Sequence, residues 1–240
     1  MFVANINEKH ISIYEKSDIL FFLFVIALFL PFFISDTIYE WYKSFNAIHG
    51  MVMSFVKFAI LATLGEMLGL RISTGVYHNK TFGIIPRMVI WGVLGMGINM
   101  AMIIFSKGTP IFLEYMGLEY ASTLMNGDFC LAKFLVALAI SVTMNSIFAP
   151  VFMTLHKITD THIGIVAALS KRFPPYSHDT YFHRIELGGT LELCIQKDHP
   201  LFWYPAHTIT FLLPPDMRVL FAAILGVVLG VLLAIAAKKE

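Results

Sequence analysis

Cysteine is almost absent from this chain. Only Cys130 and Cys194 occur among 240 residues. Two residues so far apart make neither a metal motif nor a disulfide framework. Net charge is nearly absent as well, at +1. Binding to a phosphate backbone needs an excess of Lys and Arg, so a nucleic-acid partner is excluded. The N-terminus lacks the basic leader of a secretory signal: Glu8, Lys9, Glu15, Lys16 and Asp18 precede the first apolar run. No small-x-small cleavage site follows that run, where Pro31-Phe32-Phe33 stands instead. It therefore reads as a retained membrane helix. The Arg-rich, acid-poor leader of an organelle import signal is missing too. There is no internal repeat and no low-complexity stretch.

Motifs that carry chemistry are also missing. His156, His162, His178, His183, His199 and His207 lie in the second half, without the His-Glu-x-x-His spacing of a zinc hydrolase. No Gly-x-Ser-x-Gly elbow occurs, and no phosphate loop. Gly92, Gly95 and Gly97 lack the spacing and strand–turn–helix context of a dinucleotide loop. The expectation is no catalytic group, no metal and no cofactor.

What is present is apolar surface. Hydrophobic residues make up 58% of the chain and the mean hydropathy is +0.74, against about 45–50% apolar residues in a soluble domain. The sequence predicts an all-α polytopic membrane helix bundle in one domain. About 20 apolar residues span the bilayer core. Five segments qualify, at residues 19–35, 50–71, 84–106, 131–155 and 216–237. Tyr39, Trp41, Tyr42 and Trp91 fall where aromatics favour headgroups. Residues 156–199 are the main extramembrane mass, expected as amphipathic segments on the membrane surface.

The C-terminal region has a length problem. A continuous helix over residues 201–237 would be about 55 Å long. Pro214-Pro215 supplies a break, and Asp216 then suits the positive end of the next helix. Residues 201–213 are thus an interfacial helix or a re-entrant half-helix. With five spans, ten Lys and Arg fall on the N-terminal side and five on the other. The positive-inside rule then predicts a cytoplasmic N-terminus and a C-terminus outside. The membrane would be the inner membrane of a bacterium or an organelle membrane of a eukaryote.

Polar groups at membrane depth are costly and need a reason. Lys57 and Glu66 are nine residues apart and point to opposite helix faces. Snorkelling to the headgroups suits Lys57, whereas Glu66 faces either the bundle or the headgroups. Gly65 and Gly69 flank Glu66 in a small-xxx-small pattern that permits close helix approach. Gly92, Gly95 and Gly97 are expected to pack against a second helix, and Asn99 needs a partner. Ser141 and Asn145 share a helix face. Pro150, like Pro214 and Pro215, is expected to act as a hinge. The candidate pore lining or polar seam is Glu66, Asn99, Ser141, Asn145, His207, Thr210 and Arg218.

Over residues 55–237, the order of these motifs resembles the Mpv-seventeen / peroxisomal-membrane-protein-twenty-two family. Gly65-Glu66 sits where the family has Gly-Asp. Arg87 with Gly95 and Gly97 is similar to its arginine–glycine spacing, and Phe148-Ala149-Pro150 to its apolar-Ala-Pro step. Trp203, His207, Thr210 and Phe211 match the spacing of its Trp-Pro-x-x-Gln-x-x-Asn-Phe motif, and Pro214-x-x-x-Arg218 its Pro-x-x-x-Arg step. Tyr204, His207 and Thr210 replace that motif's Pro, Gln and Asn. Asn145 stands for a glutamine, and Met144 for the acid before it. The family's Gly-Pro…Trp-Tyr end of the third helix is absent, the proline–arginine step is one residue out of register, and the helix at 19–35 is additional. The resemblance implies a distant relative, with a small weakly selective pore or a role in metabolite homeostasis.

The leading expectation is a narrow channel or transporter for small solutes or ions, with Arg218 as a gate or anion contact. Its rival is a non-transporting scaffold or assembly factor, in which the same polar groups bond only to one another. An intramembrane enzyme would need His207 and Glu66 in one pocket. The bilayer is the expected partner. Five helices from one chain enclose little space, so a channel built from them calls for a homo-oligomer.

Overall fold

The computed structural model describes residues 16–169 and 201–237. Those residues form eight helices and no strand. In order they are α1 (Lys16–Ile34), α2 (Asp36–Ile48), α3 (Gly50–Thr74), α4 (Ile84–Tyr115), α5 (Ala121–Leu124), α6 (Leu131–Leu169), α7 (Tyr204–Leu212) and α8 (Pro215–Ala237). Five of them, α1, α3, α4, α6 and α8, are long and apolar enough to cross a membrane. An apolar helix keeps its backbone bonds internal, which is what hydrocarbon demands. The chain is therefore an all-α polytopic bundle.

Close approach fixes the central pair. A Cβ added at Gly92 would lie 2.4 Å from the Phe55 ring, and one at Gly95 would lie 2.4 Å from the Phe58 Cβ. α4 thus lies against α3, running back along it: Arg87 at its start meets Glu66, and Asn99 farther on meets Met51. A Cβ at Gly65 would come within 3.1 Å of the Val227 backbone, so α8 lies on another face of α3. Phe58, Met102, Ile140, Phe211 and Ala223 form the core where α3, α4, α6, α7 and α8 meet.

α1 stands apart, with 6% of its spanning window buried. Both Asp18 carboxylate oxygens accept from Arg71, from Nε and Nη2 at 2.7 Å each. The Tyr77 hydroxyl donates to the same carboxylate at 2.9 Å, and the Tyr77 and Phe21 rings stack at 4.4 Å. At its other end α1 passes through Ser35, which caps α2, into that short helix. α2 exposes Tyr39 and Trp41, as a helix in the headgroup region does.

The structure adds detail to several segments. α6 continues as one helix through residues 156–169, the first part of the segment read as extramembrane. It buries Ile163 and Ile165 there. Residues 170–199, the rest of that segment, lie outside the described residues. Pro150 lies inside α6, which is helical on both sides of it. Pro214-Pro215 does divide α7 from α8, because Leu213 takes the extended conformation (ψ 157°) that a following proline favours. α7 is not interfacial. It buries His207, Thr208, Thr210 and Phe211 inside the bundle, and nine residues reach about 13 Å, less than half of the bilayer core.

The direction of α8 follows from its contacts. Asp216 in its first turn acts electrostatically on Tyr42 of α2, and Val227 and Gly230 pass Gly65. α8 therefore runs parallel to α3, whose Arg71 end meets Asp18. The start of α1 and the end of α8 lie at one end of the bundle, here the terminal end. α2, α5 and the double proline lie at the opposite end. These two helix ends lie together because α7 makes part of a crossing that the five spans omit.

Candidate functional site

The polar residues of the bundle separate into three groups. The first is a seam between α6 and α7. Asn145 donates from Nδ2 to the Ser141 carbonyl at 2.8 Å and to its hydroxyl at 3.3 Å. Its Oδ1 lies 3.0 Å from His207 Nδ1. Ser141 Oγ donates to the Tyr204 carbonyl at 2.9 Å, and the Tyr204 hydroxyl shares a bond with Ser146. Thr210 donates to the Ala206 carbonyl within its own helix. Trp203 covers His207, with ring centroids 4.9 Å apart. A buried polar group must find a partner or lose stability, and this seam supplies partners from the half-helix that the double proline makes possible. Ser141, Asn145, His207 and Thr210 are all buried here, and none lines the larger cavity described below.

The second group is a charge cluster toward the terminal end. Arg87 Nη1 reaches Glu66 Oε2 at 2.5 Å and also pairs with Asp160. Arg87 Nε donates to the Phe82 carbonyl at 2.6 Å, and its guanidinium lies over the Phe82 ring. His156 Nε2 stands 3.7 Å from the second Glu66 oxygen and stacks on Trp91 at 4.5 Å. The cluster joins α3, α4 and α6. The space beside it, between Arg87, Trp91, His156 and Asp160, has no room for a water molecule. Glu66 therefore faces the bundle. It is far along α3 from the level of the α7 seam, and His207 is not among the residues around the space beside it.

The third group surrounds a cavity of about 570 Å³ beside the break between α7 and α8. Asn99, Ser106, Lys107, Ser122, Lys133 and Arg218 contribute polar groups to its wall. Leu213, Pro214 and Pro215 contribute the backbone of the break. Arg218 is held by two carbonyls: Nε donates to Leu213 at 3.0 Å and Nη2 to Phe211 at 3.1 Å. These are the carbonyls left at the end of α7, so Arg218 also caps that helix. Lys133 donates to the Gly127 carbonyl at 2.6 Å. Asn99 is buried at the inner part of the wall, where its Nδ2 reaches the Met51 sulfur at 3.3 Å. The cavity runs from Asn99, midway along α4, toward the opposite end.

Of the seven expected lining residues, only Asn99 and Arg218 share this space. Sequence reasoning missed Lys107 and Lys133 as wall residues, although both flank the connection between α4 and α6. Nor did it find the partners of Lys57, which reaches α2. Lys57 is buried, donates to Asn46 Oδ1 at 2.6 Å and lies over the Tyr42 ring. Gly97 was expected to pack against a helix, but an added Cβ there meets nothing within 4 Å. Among the described residues, no group of three His, Cys, Asp or Glu side chains could hold a metal ion. In comparisons with protein-family models, curated proteins and solved structures, nothing matches this chain.

Proposed function

We propose that this integral membrane protein passes small solutes, with the cavity beside Arg218 as the solute-accessible half of the path. One observation carries the reading: a space of about 570 Å³ reaches from the opposite end to Asn99, midway along α4. That volume is in the range of small-molecule sites, about 300–1,000 Å³. Toward the terminal end the route meets the packed core and the Glu66–Arg87–Asp160 ion pairs. A solute therefore needs those pairs to part, as a gated channel or a carrier does.

The order of motifs resembling the Mpv-seventeen / peroxisomal-membrane-protein-twenty-two family supports the same reading, through the pore role that resemblance implies. The basic residues support an orientation. Lys16, Arg71 and Arg87 lie at the terminal end of the bundle. That end, with the start of α1 and the end of α8, then faces the cytoplasm or its organellar equivalent.

Purified protein in sealed vesicles is expected to pass small solutes, and Glu66→Gln is expected to change the flux by weakening the Arg87 pair. No flux at any pH or voltage from tightly sealed, correctly oriented vesicles would overturn the proposal. A scaffold or assembly factor is the second reading. The observation favouring it is the seam of Ser141, Asn145 and His207, whose polar groups bond to one another rather than to an open space. The scaffold reading predicts that Asn145→Ala alters stability but no flux.

A further inference from the structure

The wall of the cavity has one sign of charge. Lys107 comes from α4, Lys133 from α6 and Arg218 from α8, and no Asp or Glu is among the wall residues. Three cations from three helices are brought together by the fold, not by a run in the sequence. Like charges around a confined space repel, and at membrane depth they are costly. Glu114 stands behind the wall, where its carboxylate accepts the backbone N–H of Ser122 at 2.7 Å; one carboxylate balances at most one of the three cations. Asp216, in the first turn of α8, is exposed and outside the wall.

Donors remain free on these groups. A guanidinium has five N–H donors, and Arg218 uses two of its nitrogens on the α7 carbonyls. Those same bonds hold the planar group in place, so little ordering is left for a ligand to impose. Lys133 has two donors left after its bond to Gly127. Lys107 has no hydrogen-bond or ion-pair partner among the described residues. The Ser122 hydroxyl is buried and also lacks a partner.

We propose that this cavity binds a phosphate group, carried either by an anionic lipid headgroup or by a small soluble phosphate. A phosphate monoester carries a charge of about −1.5 to −2 near neutral pH and three acceptor oxygens. It answers three cations better than a single carboxylate does. The fixed Arg218 fork suits two of its oxygens, and the lysines act as point charges. The volume leaves room for the group that the phosphate esterifies. The proposal rests on the reading of the cavity as solute-accessible, but it concerns binding rather than passage.

The test uses the full chain in nanodiscs of phosphatidylcholine. Inorganic phosphate and glycerol phosphate are titrated against the thermal midpoint, with chloride at matched ionic strength as control. In parallel, retention of phosphatidic acid, whose phosphate is a monoester, is compared with that of phosphatidylcholine by native mass spectrometry. Binding by either arm supports the proposal, and the arm that responds identifies the source of the phosphate. Lys107→Gln and Lys133→Gln are each expected to weaken that binding about tenfold. Lys43→Gln, exposed on α2, should leave it unchanged.

The proposal is overturned if neither probe binds wild-type protein, if both lysine variants bind as wild type does, or if Lys43→Gln weakens binding equally. Lys107 has no partner to lose, so its variant remains informative even if Lys133→Gln fails to fold. Retained binding with no flux removes the transport reading and leaves the phosphate site standing. Flux without phosphate binding does the reverse.

Discussion

At the scale of single residues, the features easiest to anticipate were charges in apolar helices, and the hardest were their partners. The 900° between Lys57 and Glu66 forbids a mutual pair, but it does not name Asn46 or Arg87. Those partners come from other helices, and periodicity says nothing of them. Asp18 and Arg71 are 53 residues apart, and nothing local links them. Their pair, with Tyr77, is the anchor of the least buried of the five spans. In the loop after α3, burial first and the hydrogen bond to Asp18 second push the Tyr77 hydroxyl up from 10.0 to about 12. The fold favours its neutral form. This contribution to stability is therefore complete below pH 10 and is lost as pH rises toward about 12. The thermal midpoint should fall more steeply over that window in wild type than in Tyr77→Phe; parallel curves would refute the assignment. Glycine gives a second test at this scale. Gly95→Ala drives a methyl into Phe58 and should cost about 1–3 kcal/mol. Gly97→Ala, which meets nothing, should be close to neutral in the same detergent unfolding assay.

At the scale of elements, five spans were legible because hydrocarbon imposes a length that composition alone reveals. The interruption in the C-terminal run was legible for the same reason, since 37 residues exceed any bilayer and Pro214-Pro215 marks the place. The position of the half-helix was not. Residues 201–213 carry enough apolar surface for the membrane interface and enough polar groups for the bundle. Ser141 and Asn145 decide the matter by offering their hydrogen bonds on one face of α6. The candidate residues divide between a cavity wall and a polar seam for a related reason: buried polar side chains read alike whether they face a cavity or a partner. If the α6–α7 seam holds the half-helix, Asn145→Ala should destabilise the protein modestly. Bonds of this kind in membrane bundles contribute about 0.6 kcal/mol on average and up to about 1.7. The same variant should increase protease access near Trp203. An unchanged unfolding curve and an unchanged digestion pattern would show that α7 docks through Phe211 and its apolar neighbours alone.

For the whole molecule, the half-helix changes the topology. Counting full spans alternates the chain five times and sends its ends to opposite sides. α7, however, carries the chain from the level of Asn145 to the opposite end, so that α8 begins beside α2. From there α8 can only return toward Arg71 and Asp18, because Gly65 meets Val227 with the two helices parallel. A labelling experiment separates the two arrangements. In Cys194→Ser protein, Cys130 is exposed before α6 at the opposite end and serves as the internal reference. A cysteine added at either terminus of the chain should resist a membrane-impermeant thiol reagent from the side on which Cys130 reacts. Both added cysteines should react from the other side. If the C-terminal cysteine labels together with Cys130, α8 runs antiparallel to α3, and the cavity beside Arg218 does not exist in the membrane-embedded protein.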